Sequence, residues 1–76
     1  MKETLTIIIK SLVTEETAIS INEIEVEKTV TYEVRVAEGD MGKVIGKEGR
    51  IAKAIRTIMK ALAAKDNKKI TIEFIG

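Results

Sequence analysis

Residues 42–51 read GKVIGKEGRI, two glycines three apart in a basic, apolar-flanked stretch that runs straight into an amphipathic helix. Gly46 and Gly49 therefore mark a junction between two helices, and whatever fold the chain adopts must accommodate that junction. A loop of this kind leaves room for a second backbone to come close, because no Cβ stands in the way at glycine. Helix-start amides and neighbouring Lys or Arg side chains are then placed to meet anionic groups on that second backbone.

The 76 residues suffice for one domain spanning 1–76, and 45% apolar residues are enough for a small core. Cysteine and histidine are both absent. That removes disulfides, thiolate chemistry, imidazole bases and the usual zinc ligand sets, so no metal or cofactor is expected. No apolar run approaches the ~20 residues needed to span a bilayer, and no signal-peptide pattern opens the chain. The expectation is a cytoplasmic protein that does not engage membranes.

The formal net charge of +1 hides a segregation. Residues 1–40 hold four basic and nine acidic residues, a balance of −5, whereas 41–60 hold Lys43, Lys47, Arg50, Lys53, Arg56 and Lys60 against Glu48 alone, a balance of +5. A solvated helix face would account for such a run by itself. Beside the glycine loop, the same run concentrates polyanions there without making the whole surface adhesive.

Hydrophobic spacing supplies the elements. Leu5, Ile8, Ile9, Leu12 and Val13 recur at helical intervals over 2–13, although the β-branched run Thr6-Ile7-Ile8-Ile9 also fits a strand. Two strands follow over 18–26 and 29–37. In the second, Val30, Tyr32, Val34 and Val36 alternate with Thr31, Glu33 and Arg35, as in a sheet buried on one face. The first changes phase between Ile19/Ile21 and Ile24/Val26, which predicts a bulge or bend near Asn22-Glu23. Nothing in Glu25 to Lys28 is a turn-forming residue, so the hairpin is inferred from the short separation alone.

Asp40 is placed to cap a short helix over 41–45, and a longer helix runs from about Arg50 to Ala64. On it Ile51, Ile55, Ile58, Met59 and Leu62 gather on one face, with Arg50, Lys53, Arg56 and Lys60 roughly opposite. After Asp66-Asn67, a last strand alternates Ile70, Ile72 and Phe74 with Thr71 and Glu73. The order α-β-β-α-α-β implies an α+β domain. Its first two strands pair antiparallel and the third joins parallel through a right-handed crossover, with three helices on one face of the sheet.

Enzyme readings fail on spacing. Gly42 and Gly46 are separated by three residues where a Walker A loop needs four, and Glu48 follows Lys47 where Ser or Thr would bind magnesium. A dinucleotide fingerprint would need glycine at position 44, which is valine. Glu23, Glu25 and Glu27, spaced by two, match the solvated face of a strand better than an acid–base pair. Tyr32 and Phe74 are the only aromatic residues, and both fit buried strand faces, so an array of exposed stacking rings is excluded.

The stretch DMGKVIGKEGRIAKAIR, together with the element order, resembles the type II KH domain of the small bacterial single-KH RNA-binding proteins, the KhpA-like family. The likeness covers essentially the whole chain. It implies a type II KH fold without catalytic residues that binds single-stranded RNA, about four nucleotides, beside the GxxG loop. On matching positions, Gly46 and Gly49 permit backbone approach and Lys47 and Arg50 contact phosphates. Val44 and Ile45 border the groove, Glu48 occupies the variable pair, and Lys43 and Lys53 flank it.

Three positions depart from the family pattern: Glu48, a carboxylate within the loop; Val26, where glycine is expected at the hairpin; and Ala52, where many KH domains carry isoleucine. The resemblance further implies a homodimer, or a heterodimer with a larger KH-containing protein, and no small-molecule substrate. It also implies post-transcriptional control or RNA chaperoning linked to cell shape. The alternative is a KH-fold dimerisation module with little RNA affinity of its own.

Overall fold

A computed structural model describes all 76 residues. Its helices are α1 (Lys2–Leu12), α2 (Met41–Ile45) and α3 (Arg50–Lys65), and its strands are β1 (Ser20–Val26), β2 (Thr29–Arg35) and β3 (Lys69–Phe74). The sheet order is β1-β2-β3, with β1 antiparallel and β3 parallel to β2. This is the expected type II KH order, three helices packed over one face of a mixed sheet.

The ambiguity at the N-terminus resolves as a helix. Leu5 and Ile9, one turn apart, are both fully buried, whereas Ile7 between them is 67% exposed. That is a helical period, and it overrides the local β preference of the Thr6–Ile9 run. A helical turn over Glu16–Ala18 delays β1 to Ser20, and β2 stops at Arg35, two residues earlier than the alternation suggests.

No bulge interrupts β1. Its register against β2 is continuous from Ser20 opposite Arg35 to Val26 opposite Thr29. The phase change instead marks Ile24 and Val26 as side chains of the uncovered face, 43% and 65% exposed. Glu23 and Glu25 consequently stand opposite Tyr32 and Val30, on the side that the helices cover. They rim the core there, and Glu25 pairs with Lys68 at 3.0 Å. Burial and nearby Glu23 push the Tyr32 phenol above its usual range. The hairpin turns through Glu27 and Lys28, with Glu27 at φ 57°, a left-handed conformation that a non-glycine residue adopts at about 1–2 kcal/mol.

The core joins Leu5 and Ile9 of α1 to Val30, Tyr32 and Val34 of β2, Val44 of α2, Ile55 and Met59 of α3, and Ile70 and Ile72 of β3. Each fully buried large apolar side chain contributes on the order of 1.5–3 kcal/mol. Past the end of α3, Asn67 adopts a φ of 56°, which lets the Lys68 amide return to the Ala63 carbonyl at 2.9 Å. No helix is long and apolar enough to cross a membrane.

Candidate functional site

The glycine junction is a tight double reversal. α2 ends on the bond from the Gly46 amide to the Gly42 carbonyl, 2.9 Å, and the Gly49 amide then donates to the Gly46 carbonyl at 3.2 Å. Gly46 has φ 77° and ψ 174°, a region open essentially to glycine alone, and Gly49 is left-handed at φ 75° and ψ 14°. Glu48, at φ 58° and ψ 24°, is also left-handed. A Cβ on Gly46 would lie 2.6 Å from Ile51 Cγ1 and 2.9 Å from the Ile51 nitrogen, whereas one on Gly49 would meet nothing within 4 Å. Gly46 thus lets the loop close onto the first turn of α3, and Gly49 keeps its outer side bare.

Asp40 does not cap α2. Its side chain makes no bond to the helix amides; instead its Oδ2 accepts the Glu15 N–H at 3.0 Å, while Lys43 Nζ approaches Oδ1 at 3.3 Å. Asp40 is 3% exposed, and Lys43 also donates to Thr14 Oγ1. The Glu15 amide, with Thr14 and Lys43, holds the Asp40 carboxyl down at about 2, against burial, which pushes it upward. This cluster ties the α1–β1 connection to the entry of α2, and so to the loop. Sequence reasoning missed it because its partners are 25 residues apart along the chain.

The basic residues differ in how free their charges are. Lys43 is engaged by Asp40, and Arg50 lies 3.8 Å from Glu48, with both of those side chains well exposed. Arg56 donates from Nε and Nη2 to the Ile72 carbonyl, at 3.3 and 3.1 Å, and lies over the Phe74 ring with its Cζ 5.5 Å from the centroid. Lys47, Lys53 and Lys60 are exposed and enter no ion pair. Val44 is fully buried in the core and offers no surface, so it can shape a groove only from beneath; Ile45 is half-buried beside it. Ala52 is buried in the first turn of α3.

Beside α3 the sheet presents an open edge. The Lys69 amide bonds to Lys28 and the Ile75 amide to Val34, so the odd-numbered backbone groups of β3 face β2. Those of Ile70, Ile72 and Phe74 therefore point outward, where only the Ile72 carbonyl is taken, by Arg56. A cleft of about 150 Å³ lies along this edge, lined by Arg56, Lys60, Ile70, Thr71 and Ile72. Truncation as Arg56→Ala strips the carbonyl and the ring of their partner and is expected to lower stability by about 1–2 kcal/mol. Urea unfolding measures it; an unchanged midpoint would show that the bridge is dispensable.

A family model described as the KhpA/KhpB KH domain matches residues 2–74. The chain is 53% identical to RNA-binding protein KhpA of Clostridium perfringens over 75 residues, which cover 99% of this chain and 100% of that one. It is 51% identical to the KhpA of Clostridium acetobutylicum over the same shares, and 45% identical to that of Chlamydia trachomatis, covering 99% and 96%. Among solved structures it superposes on Aquifex aeolicus Era bound to GDP and aluminium fluoride, with TM-score 0.67 and 20% identity. A second Era structure, in complex with a segment of 16S ribosomal RNA, gives TM-score 0.61 at the same identity. In both, the chain is covered over 95% of its length and spans 28% of the Era chain, which is a likeness of fold.

Proposed function

Since the chain belongs to the KhpA/KhpB KH-domain family, we propose that it is a non-catalytic protein that binds single-stranded RNA, about four nucleotides, beside the loop at Gly46–Gly49. The observation that carries this reading is a bare, doubly reversed glycine loop with unpaired Lys47 and Lys53 beside it and an open β3 edge below. Lys47 and Lys53 meet phosphates, and Arg50 joins them by exchanging Glu48 for a phosphate. Ile45 and the outward-facing backbone groups of β3 take the bases, with Val44 supporting them from the core. Lys43 contributes least, its ammonium being held by Asp40.

So small a contact binds weakly. Pairing two modules, as a homodimer or with a larger KH protein, raises the effective concentration and gives useful affinity to a regulator or chaperone of RNA in the cytoplasm. The second reading, a dimerisation module without RNA affinity, draws on exposed Ile24 and Val26 of the uncovered sheet face.

The test is fluorescence anisotropy of short single-stranded RNAs against the natural chain and a Lys47→Asp, Glu48→Asp double variant, with folding checked by circular dichroism. Losing one charge-assisted phosphate contact weakens binding by roughly ten- to a hundredfold. A folded variant that binds as tightly as the natural chain would transfer the case to the dimerisation reading.

A further inference from the structure

The sheet has two edges, and they carry opposite charge. The β3 edge runs beside Arg56 and Lys60 of α3. The β1 edge lies on the far side of β2, about 10 Å away at the usual strand spacing. It belongs to a stretch of the other sign: residues 11–27 contain five glutamates and no lysine or arginine.

Backbone pairing leaves the outer side of β1 open. The Lys28 and Val34 carbonyls accept the Lys69 and Ile75 amides, so the even-numbered groups of β2 face β3, and those of Thr29, Thr31 and Glu33 face β1. There they meet Val26, Ile24 and Asn22. Alternation then turns the N–H and C=O groups of Ile21, Glu23 and Glu25 away from the sheet, with no partner strand beyond them. Edge strands are commonly shielded by a bulge, a proline or brevity. β1 has none of these: it holds seven residues in unbroken register, lacks proline, and is exposed at every residue from Asn22 to Val26.

The side chains flanking these open groups sort by face. Glu23 and Glu25 stand on the helix-covered side, and Ile24 and Val26 on the uncovered side. Glu25 is held by Lys68, whereas Glu23 and Glu27 enter no ion pair. A strand that completes this edge must place basic side chains opposite the glutamates and apolar ones at the positions between. RNA is an unsuitable occupant, being repelled by the carboxylates and having no amides to pair. So is a second copy. Two β1 strands paired antiparallel over their full length set Glu23 against Glu23, and like charges directly opposite are destabilising.

We propose that the β1 edge docks an extended segment of a partner protein, in which lysine or arginine alternates with β-branched apolar residues, as a fourth strand of the sheet. Main-chain bonds to Ile21, Glu23 and Glu25 supply the affinity and the alternation supplies the selectivity. This goes beyond the RNA-binding reading and uses none of its residues, so the two edges serve two kinds of ligand at once.

The probe is a synthetic capped peptide of ~8 residues in which valine and lysine alternate. One control has the same composition with its valines and lysines in separate blocks. The other keeps the alternation but is N-methylated throughout, and so has no main-chain donors. Amide hydrogen exchange, followed by NMR, reads the site. The alternating peptide is expected to slow exchange at the Ile21, Glu23 and Glu25 amides, and neither control is. Glu23→Lys is expected to weaken that binding by roughly fivefold or more. Glu23→Gln, which keeps the size of the side chain, should give a smaller loss in the same direction, and melting curves verify both folds. The Lys47→Asp, Glu48→Asp variant is expected to bind the peptide as the natural chain does, which separates this result from the fate of the RNA reading. Equal binding of the block peptide reduces the effect to general charge attraction. Protection along β3 moves it to the other edge, and protection of β1 that grows with protein concentration alone makes the occupant a second copy. Each of these overturns the proposal, as does the absence of binding.

Discussion

Replacing Gly46 by alanine is expected to lower the stability of the domain by about 2–6 kcal/mol, because two penalties combine. The backbone at φ 77°, ψ 174° is strained for any residue with a Cβ, by roughly 1–3 kcal/mol. The added carbon also meets the side chain and backbone of Ile51 at 2.6–2.9 Å, an overpacking of about 1–3 kcal/mol. A domain of this size is stable by only roughly 4–11 kcal/mol, so its melting temperature should fall by roughly 10–40 °C. Gly49→Ala is the internal control: it shares the positive φ but meets open space, and should cost about 1–2 kcal/mol. Thermal melts of the two variants measure the difference. Equal losses would mean that the contact with Ile51 is not what selects glycine at position 46.

At neutral pH an Asp40→Asn variant is expected to melt well below the natural protein, and the gap should close in acid. The Asp40 carboxyl is held at about 2 in the folded chain, below its ordinary value of 3.8. A depressed folded value favours folding at every pH above the unfolded value, and that contribution disappears as the pH falls from about 4 to about 2. The uncharged side chain of the Asp40→Asn variant has no such contribution to lose. Both proteins weaken in acid as other carboxylates protonate, but only the natural one carries the Asp40 share. Melting temperatures at intervals from pH 7 to pH 2 read this directly, and parallel curves would disprove it. The variant also releases Lys43 from its ion pair and loosens the join between the α1–β1 connection and α2.

The element order, the antiparallel and parallel pairings and the glycine junction were legible because each follows from near neighbours. Alternation at Val30, Tyr32 and Val34 defines a strand with one buried face, and the spacing of Leu5 and Ile9 defines a helix. The bulge predicted near Asn22-Glu23 was a misreading of a real signal. Ile24 and Val26 change phase because they occupy the uncovered face of an edge strand, and a pattern of apolar residues does not record which face is covered. Asp40 before a helix is a sound capping signal, but two amides and an ammonium compete for its oxygens, and both amides come from the distant α1–β1 connection.

What the amino-acid sequence determined by itself is the class of fold, the place of the loop and the need for glycine at its two ends. Periodicity and backbone sterics act over a few residues and are written in the order of side chains. The folded structure decided which of six neighbouring cations are free, two of them through near neighbours in the chain and one, Arg56, through a partner 16 positions away. Lys43, Arg50 and Arg56 are engaged by Asp40, Glu48 and the Ile72 carbonyl, while Lys47, Lys53 and Lys60 face solvent. It alone buried Val44 and carried Lys28 to Lys69, 41 positions away, because partners so distant in sequence meet only after the sheet and its crossover have closed.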